Sequence, residues 1–173
     1  MKTNFLLASG LLLAILTARQ ETRAQAAASN NNVIIYIGDG FGLAPKTAAR
    51  MAMGQGTTGK RFTSDAGFQV LALDKLKYNA TVTTHSLNSW ITDSAPGASV
   101  YACGKPGKQD NEVIALNPAT GASVETILEA AKKQGYAVGL VTTTRITHAT
   151  PAAFASHIWF RDLEDYIAAQ YIA

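Results

Sequence analysis

One cysteine, Cys103, stands in a chain of 173 residues. No disulfide can close within the chain, so no disulfide framework holds it together. The residues before it, 98–102, are small or apolar, which favours burial of Cys103 as a small hydrophobe over a functional thiol. An excess of charge is missing too. The chain carries 15 basic and 12 acidic residues, but the first 26 include Lys2, Arg19, Arg23 and Glu21. Without them 12 basic residues face 11 acidic ones. That balance gives no electrostatic reason to expect nucleic acid or a membrane surface as a partner. No internal repeat is visible. There is no G-x-S-x-G elbow, and His85 belongs to no recognisable serine triad.

No apolar run is long enough for a comfortable membrane span. The run at 5–16 has instead the length of a signal-peptide core, with Lys2 before it and Ala24-Gln25-Ala26 as a small-x-small cleavage site. Residues 1–26 are therefore expected to be an export signal, with an uncleaved anchor as the alternative. The rest would lie in the periplasm or outside the cell, with no span after cleavage. Residues 27–173, in a chain that is 47% hydrophobic and 16% charged, suit one globular domain or part of a larger one.

Strands are expected at 33–37, 68–73, 80–84 and 136–141. The first is apolar on both faces, as a buried parallel strand must be. Helices are expected at 45–53, at 94–103, from a Ser123 cap to Lys133 with a left-handed Gly135 after it, at 151–157 behind Thr150, and from Asp162 onward. Gly54 to Gly59 reads as a break. Strands alternating with helices imply an α/β fold with a parallel-rich central sheet flanked by helices. Chemistry in such folds gathers at the carboxyl ends of the strands. The pattern ends inside an apolar helical repeat, so the sheet is expected to be incomplete as given and the chain a fragment.

Four places could carry chemistry. Asp39 sits between Gly38 and Gly40 at a strand tip, where a carboxylate can reach a hard cation or zinc, or can simply cap a turn. Asp93-Ser94 opens a helix, so Ser94 lies by free N–H groups that suit phosphate, while either residue could be an ordinary cap. A serine hydroxyl needs a base or a metal to become a nucleophile, and with no triad motif a metal is the more natural activator. The loop from Thr143 to Pro151 gathers hydroxyls, Arg145, His148 and Thr150. It could line a site or be a solvated loop. Arg161 could grip two phosphate oxygens, or rest on the surface beside Asp162 and Glu164.

Together these runs resemble the N-terminal part of an alkaline phosphatase. The resemblance rests on Ile37-Gly38-Asp39-Gly40-Phe41-Gly42, on Thr92-Asp93-Ser94-Ala95, on Val141 through Ala153, and on His157 with Arg161 four residues later. It spans about 33–173. It implies phosphate monoester hydrolysis through a phosphoserine at Ser94, with two zinc ions and one magnesium ion. Asp39 would bridge zinc and magnesium, and Thr150 would bind magnesium. His148 would stand in the outer shell of that magnesium site. Arg161 would hold the phosphate, with Asp93 positioning it. A homodimer is implied in the same way. His85, His148 and His157 form no closed zinc set, so the chain alone is expected to be inactive. A phosphodiesterase of the same superfamily and an exported non-catalytic phosphate-binding domain are the alternatives. A sulfatase is disfavoured because Ser94-Ala95-Pro96-Gly97-Ala98 lacks the arginine of C/S-x-P-x-R.

Overall fold

The computed structural model describes residues 32–55 and 70–172. The leader expected at 1–26 and the start of the strand expected at 68 lie outside them. The chain divides into two units, 1–37 and 38–173. The described part of the first has no regular secondary structure, and its Val33, Ile34 and Tyr36 are exposed.

The second unit is helical among its described residues. Helix α1 is Leu43–Gln55, longer at both ends than the expected 45–53. Its Lys46 and Arg50 reach Asp74 at 2.9 and 2.5 Å, in a 3-10 turn at Ala72–Lys75. Hydrogen bonds from Arg50 first, then Lys46, hold the Asp74 carboxyl well below the usual carboxylate range.

Helix α2, Ser94–Cys103, begins as expected because Asp93 caps it: its Oδ1 accepts the Ala95 N–H at 2.7 Å. Helix α3 is Ile127–Lys133, starting later than the expected Ser123. The backbone chooses Thr126 because Glu129 completes a capping box with it, while Ser123 bridges to Leu116 instead. Gly135 adopts the left-handed cap expected of it, with φ 85°. Helix α4, Ala149–Ala155, starts two residues earlier than expected, with His148 as the cap and Thr150 inside the first turn. Helix α5 is Glu164–Tyr171.

The core lies between α2 and α4. Ala95, Ala98 and Ala102 on one helix and Ala149, Ala152 and Ala153 on the other are all buried, together with Phe154, Ile114, Ile158 and Ile167. Small side chains let the two helices approach closely, which brings both N-termini to one place. Burial of Ile114 and Ile167 contributes about 1.5–3 kcal/mol each. Cys103 is half-buried, and burial, with the charge of Glu129, pushes its thiol up to about 11. That suits the expected inert cysteine.

The described residues form no sheet. The lengths expected as strands at 33–37, 80–84 and 136–141 carry no ladder, and 72–75 coils into the 3-10 turn. A parallel strand draws its backbone hydrogen bonds from neighbouring strands. Among the described residues the only β pairings are single antiparallel bridges, Ile114 to Ile158 and Leu116 to Ser123. Val138 and Val141 are exposed accordingly.

Candidate functional site

Asp39 stands in a turn that its glycine neighbours make feasible. Gly40 has φ 64°, a region costly for any residue with a Cβ. A Cβ on Gly38 would meet Phe41 Cβ at 2.6 Å. The turn closes with Phe41 N–H donating to Gly38 O at 3.0 Å. Asp39 Oδ2 then accepts from Thr150 Oγ1 at 3.3 Å. The two residues are 111 positions apart, so the fold assembles this pair and no local pattern does.

A second cluster centres on Arg161. Its Nη1 donates to Asp93 Oδ2 at 2.5 Å and to Ser94 Oγ at 2.7 Å. Its Nη2 lies 2.8 Å from His148 Nε2. Arginine cannot accept, so Nε2 is the acceptor and a neutral His148 carries its proton on Nδ1. That Nδ1 is buried and has no hydrogen-bond partner. Arg161 is itself mostly buried, with 14% of its side chain exposed. The first turn of α4 links the clusters, since His148 belongs to one and Thr150 to the other.

Thus Asp93, Ser94, His148 and Arg161 come together, and Asp39 meets Thr150. Arg145, by contrast, forks onto Glu164 at 2.6–3.1 Å. His157 also turns inward. Its Nδ1 donates to Ala115 O at 2.9 Å, and its Nε2 lies 2.9 Å from Glu129 Oε1. Burial raises the Glu129 carboxyl, but the Thr126 N–H and His157 outweigh that and leave it lowered.

Sequence reasoning missed Asn111, Glu112 and Glu129. Asn111 Oδ1 accepts the Asp93 N–H at 3.1 Å, and Glu112 O accepts the Arg161 N–H at 2.9 Å. Nothing near them in the chain signals these long-range bonds.

An oxygen pair such as Asp39 and Thr150 fits part of the shell of a hard cation, which takes waters for the remainder. Zinc fits less well. No group of three or more His, Cys, Asp or Glu side chains among the described residues could hold a metal ion.

The alkaline phosphatase family profile matches residues 30–172. The tissue-nonspecific alkaline phosphatase of Gallus gallus is 37% identical over 155 residues, covering 84% of this chain and 29% of that protein. The repressible alkaline phosphatase of Saccharomyces cerevisiae is 41% identical over 138 residues, covering 79% and 22%. Among solved structures, the cold-active enzyme of a psychrophilic Shewanella superposes with a TM-score of 0.66 at 30% identity, over 79% of this chain and 32% of that one. The Thermus thermophilus alkaline phosphatase superposes with a TM-score of 0.61 at 36% identity, over 77% and 26%. The chain spans about a quarter of the length of the curated relatives it matches. Its fold agrees with theirs over the matched residues, and the chain belongs to the alkaline phosphatase family.

Proposed function

We propose that the protein hydrolyses phosphate monoesters with Ser94 as nucleophile. One observation carries the reading: Arg161 Nη1 touches both Ser94 Oγ and the Asp93 carboxylate. A hydroxyl at a helix N-terminus, held by a cation that is itself held by an anion, is prepared to receive a phosphoryl group. Ser94 Oγ attacks phosphorus, and the ester oxygen leaves with a proton. Water then attacks the phosphoserine, releasing phosphate and restoring the hydroxyl. Throughout, Arg161 faces the equatorial oxygens, and Asp93 fixes the guanidinium. His148 braces its other nitrogen.

Family membership and the oxygen pair support a divalent ion at Asp39 and Thr150, magnesium by ligand type. His148, the cap of the helix whose first turn holds Thr150, would stand in the outer shell of that ion. Two zinc ions would complete the proposed set, with Asp39 as a ligand that one of them could share with magnesium. The described residues do not form a zinc site, so further ligands are needed. When bound, such ions lower the pKa of a hydroxyl and neutralise phosphoryl charge.

On this reading, residues 27–173 are the N-terminal part of a catalytic domain, exported to the periplasm or beyond and acting as a homodimer. The 173-residue chain alone is expected to show no turnover. Among the described residues no helix is long and apolar enough to cross a membrane. Ser94→Ala in the complete metal-loaded protein tests the proposal. It should abolish turnover of a phosphate monoester while leaving inorganic phosphate binding largely intact. Undiminished turnover would overturn it.

A further inference from the structure

We propose that Asn111 and Glu112 form a strap that sets the distance between Ser94 and Arg161. The proposal rests on the phosphatase reading and names positioning residues for it. The strap has two adjacent anchors. Asn111 grips the segment that leads into α2 at three points. Its Oδ1 accepts the Asp93 N–H at 3.1 Å, its Nδ2 donates to Ile91 O at 3.3 Å, and its backbone N–H donates to Asn88 Oδ1 at 2.9 Å. The next residue holds the other half of the site, because Glu112 O accepts the Arg161 N–H at 2.9 Å.

Neither anchor touches the reacting atoms. Asn111 fixes the backbone of Asp93, next to the nucleophile, and Glu112 fixes the backbone of Arg161. Glu112 holds φ 74°, the left-handed region, and that conformation belongs to the turn in which its carbonyl meets Arg161. The segment beyond the strap is pinned on the same two sides. Ala115 N–H donates to Ser99 Oγ of α2 at 3.0 Å. Ile114 pairs with Ile158, its N–H donating at 2.8 Å and its carbonyl accepting at 3.0 Å. Residues 111–115 therefore act as a spacer between the serine and arginine halves. Loss of the Asn111 side chain frees the Asp93-Ser94 backbone while Arg161 stays tied to Glu112. The nucleophile and its anion clamp then lose their common reference.

Two measurements test this. The first is amide hydrogen exchange by NMR on the chain itself. Asn111→Ala should speed exchange at Asp93 about 5- to 10-fold, the loss of roughly one hydrogen bond. Asn111→Asp, which keeps an acceptor at that place, should restore much of the protection. The second is turnover of a phosphate monoester in the complete metal-loaded protein that carries this chain, read as a double-mutant cycle. Asn111→Ala should lower kcat/KM on the order of 100-fold, as small misplacements of reacting groups do. In an Arg161→Ala background the same change should cost little, because there is no longer a spacing to keep. Equal losses in both backgrounds would show a merely structural role and overturn the strap. Unchanged Asp93 exchange would overturn it as well. If the complete metal-loaded wild-type protein, of which this chain is the N-terminal part on that reading, shows no turnover, the phosphatase reading fails, and the exchange result alone decides the strap.

Discussion

Arg161 Nη1 donates to Ser94 Oγ over 2.7 Å, although the residues are 67 positions apart in the chain. The contact exists because α2 and α4 meet through alanines and because the Ile114–Ile158 bridge carries Arg161 to the start of α2. The same Nη1 reaches Asp93, which caps α2, so the residue that starts the helix also aims the arginine.

Arginine is needed for its fork. In Arg161→Lys the charge remains, but one ammonium cannot serve Asp93, Ser94 and His148 together. On the phosphatase reading, kcat/KM should fall on the order of 100-fold, as when one donor to a developing anion is lost. Steady-state kinetics beside a thermal melt would check this. Wild-type kinetics in a folded Arg161→Lys protein would contradict it.

Closeness of the helices sets the site, so a bulky residue at their contact should disturb it. Ala152 is fully buried. Ala152→Leu should destabilise the protein by roughly 1–3 kcal/mol, the usual cost of overpacking. Urea unfolding measures that cost. A neutral result would mean that the α2–α4 contact has room to spare.

Thr126 does two jobs while buried. Its Oγ1 donates to Phe154 O at 2.6 Å and accepts the Glu129 N–H at 3.2 Å. Thr126→Ala removes the cap of α3 and leaves the Phe154 carbonyl without this donor. Loss of about 1–2 kcal/mol is expected from denaturant unfolding. Thr126→Ser keeps the hydroxyl and should recover most of it.

Stability in acid should depend on Glu164. Hydrogen bonds from Arg145, then from Thr147, lower its carboxyl from 4.5 to about 2. A carboxyl lowered by folding adds stability above its unfolded value, and that contribution disappears as pH falls through its folded value. The contribution is therefore present above about pH 4.5 and lost between there and about pH 2. The pair is solvent-exposed, so the effect is small and weakens with salt. Arg145→Ala should flatten the fall in stability across that window. Unfolding curves for the two proteins that run parallel from pH 6 to pH 2 would refute the assignment.

Much of the site was legible in the sequence because its parts carry local rules. Gly38-Asp39-Gly40 announces a turn with a carboxylate, and Asp93-Ser94 before an apolar run announces a capped helix. Helix starts were less legible where two caps competed. Ser123 and Thr126 both qualify by type, and only Glu129 at the third helical position favours Thr126. Asn111 and Glu112 were illegible because their bonds reach segments 18 to 49 residues away. The strands rest on apolar runs and strand-forming residue types, but a strand exists only with partners, and the described residues supply none.

The most direct test asks where phosphorus goes. The complete metal-loaded protein that carries this chain would be mixed with a radiolabelled phosphate monoester, quenched in acid during turnover, digested and mapped. Label on the peptide carrying Ser94, absent from Ser94→Ala, is the predicted result. Turnover with that peptide unlabelled, or with label on another residue, would contradict the account.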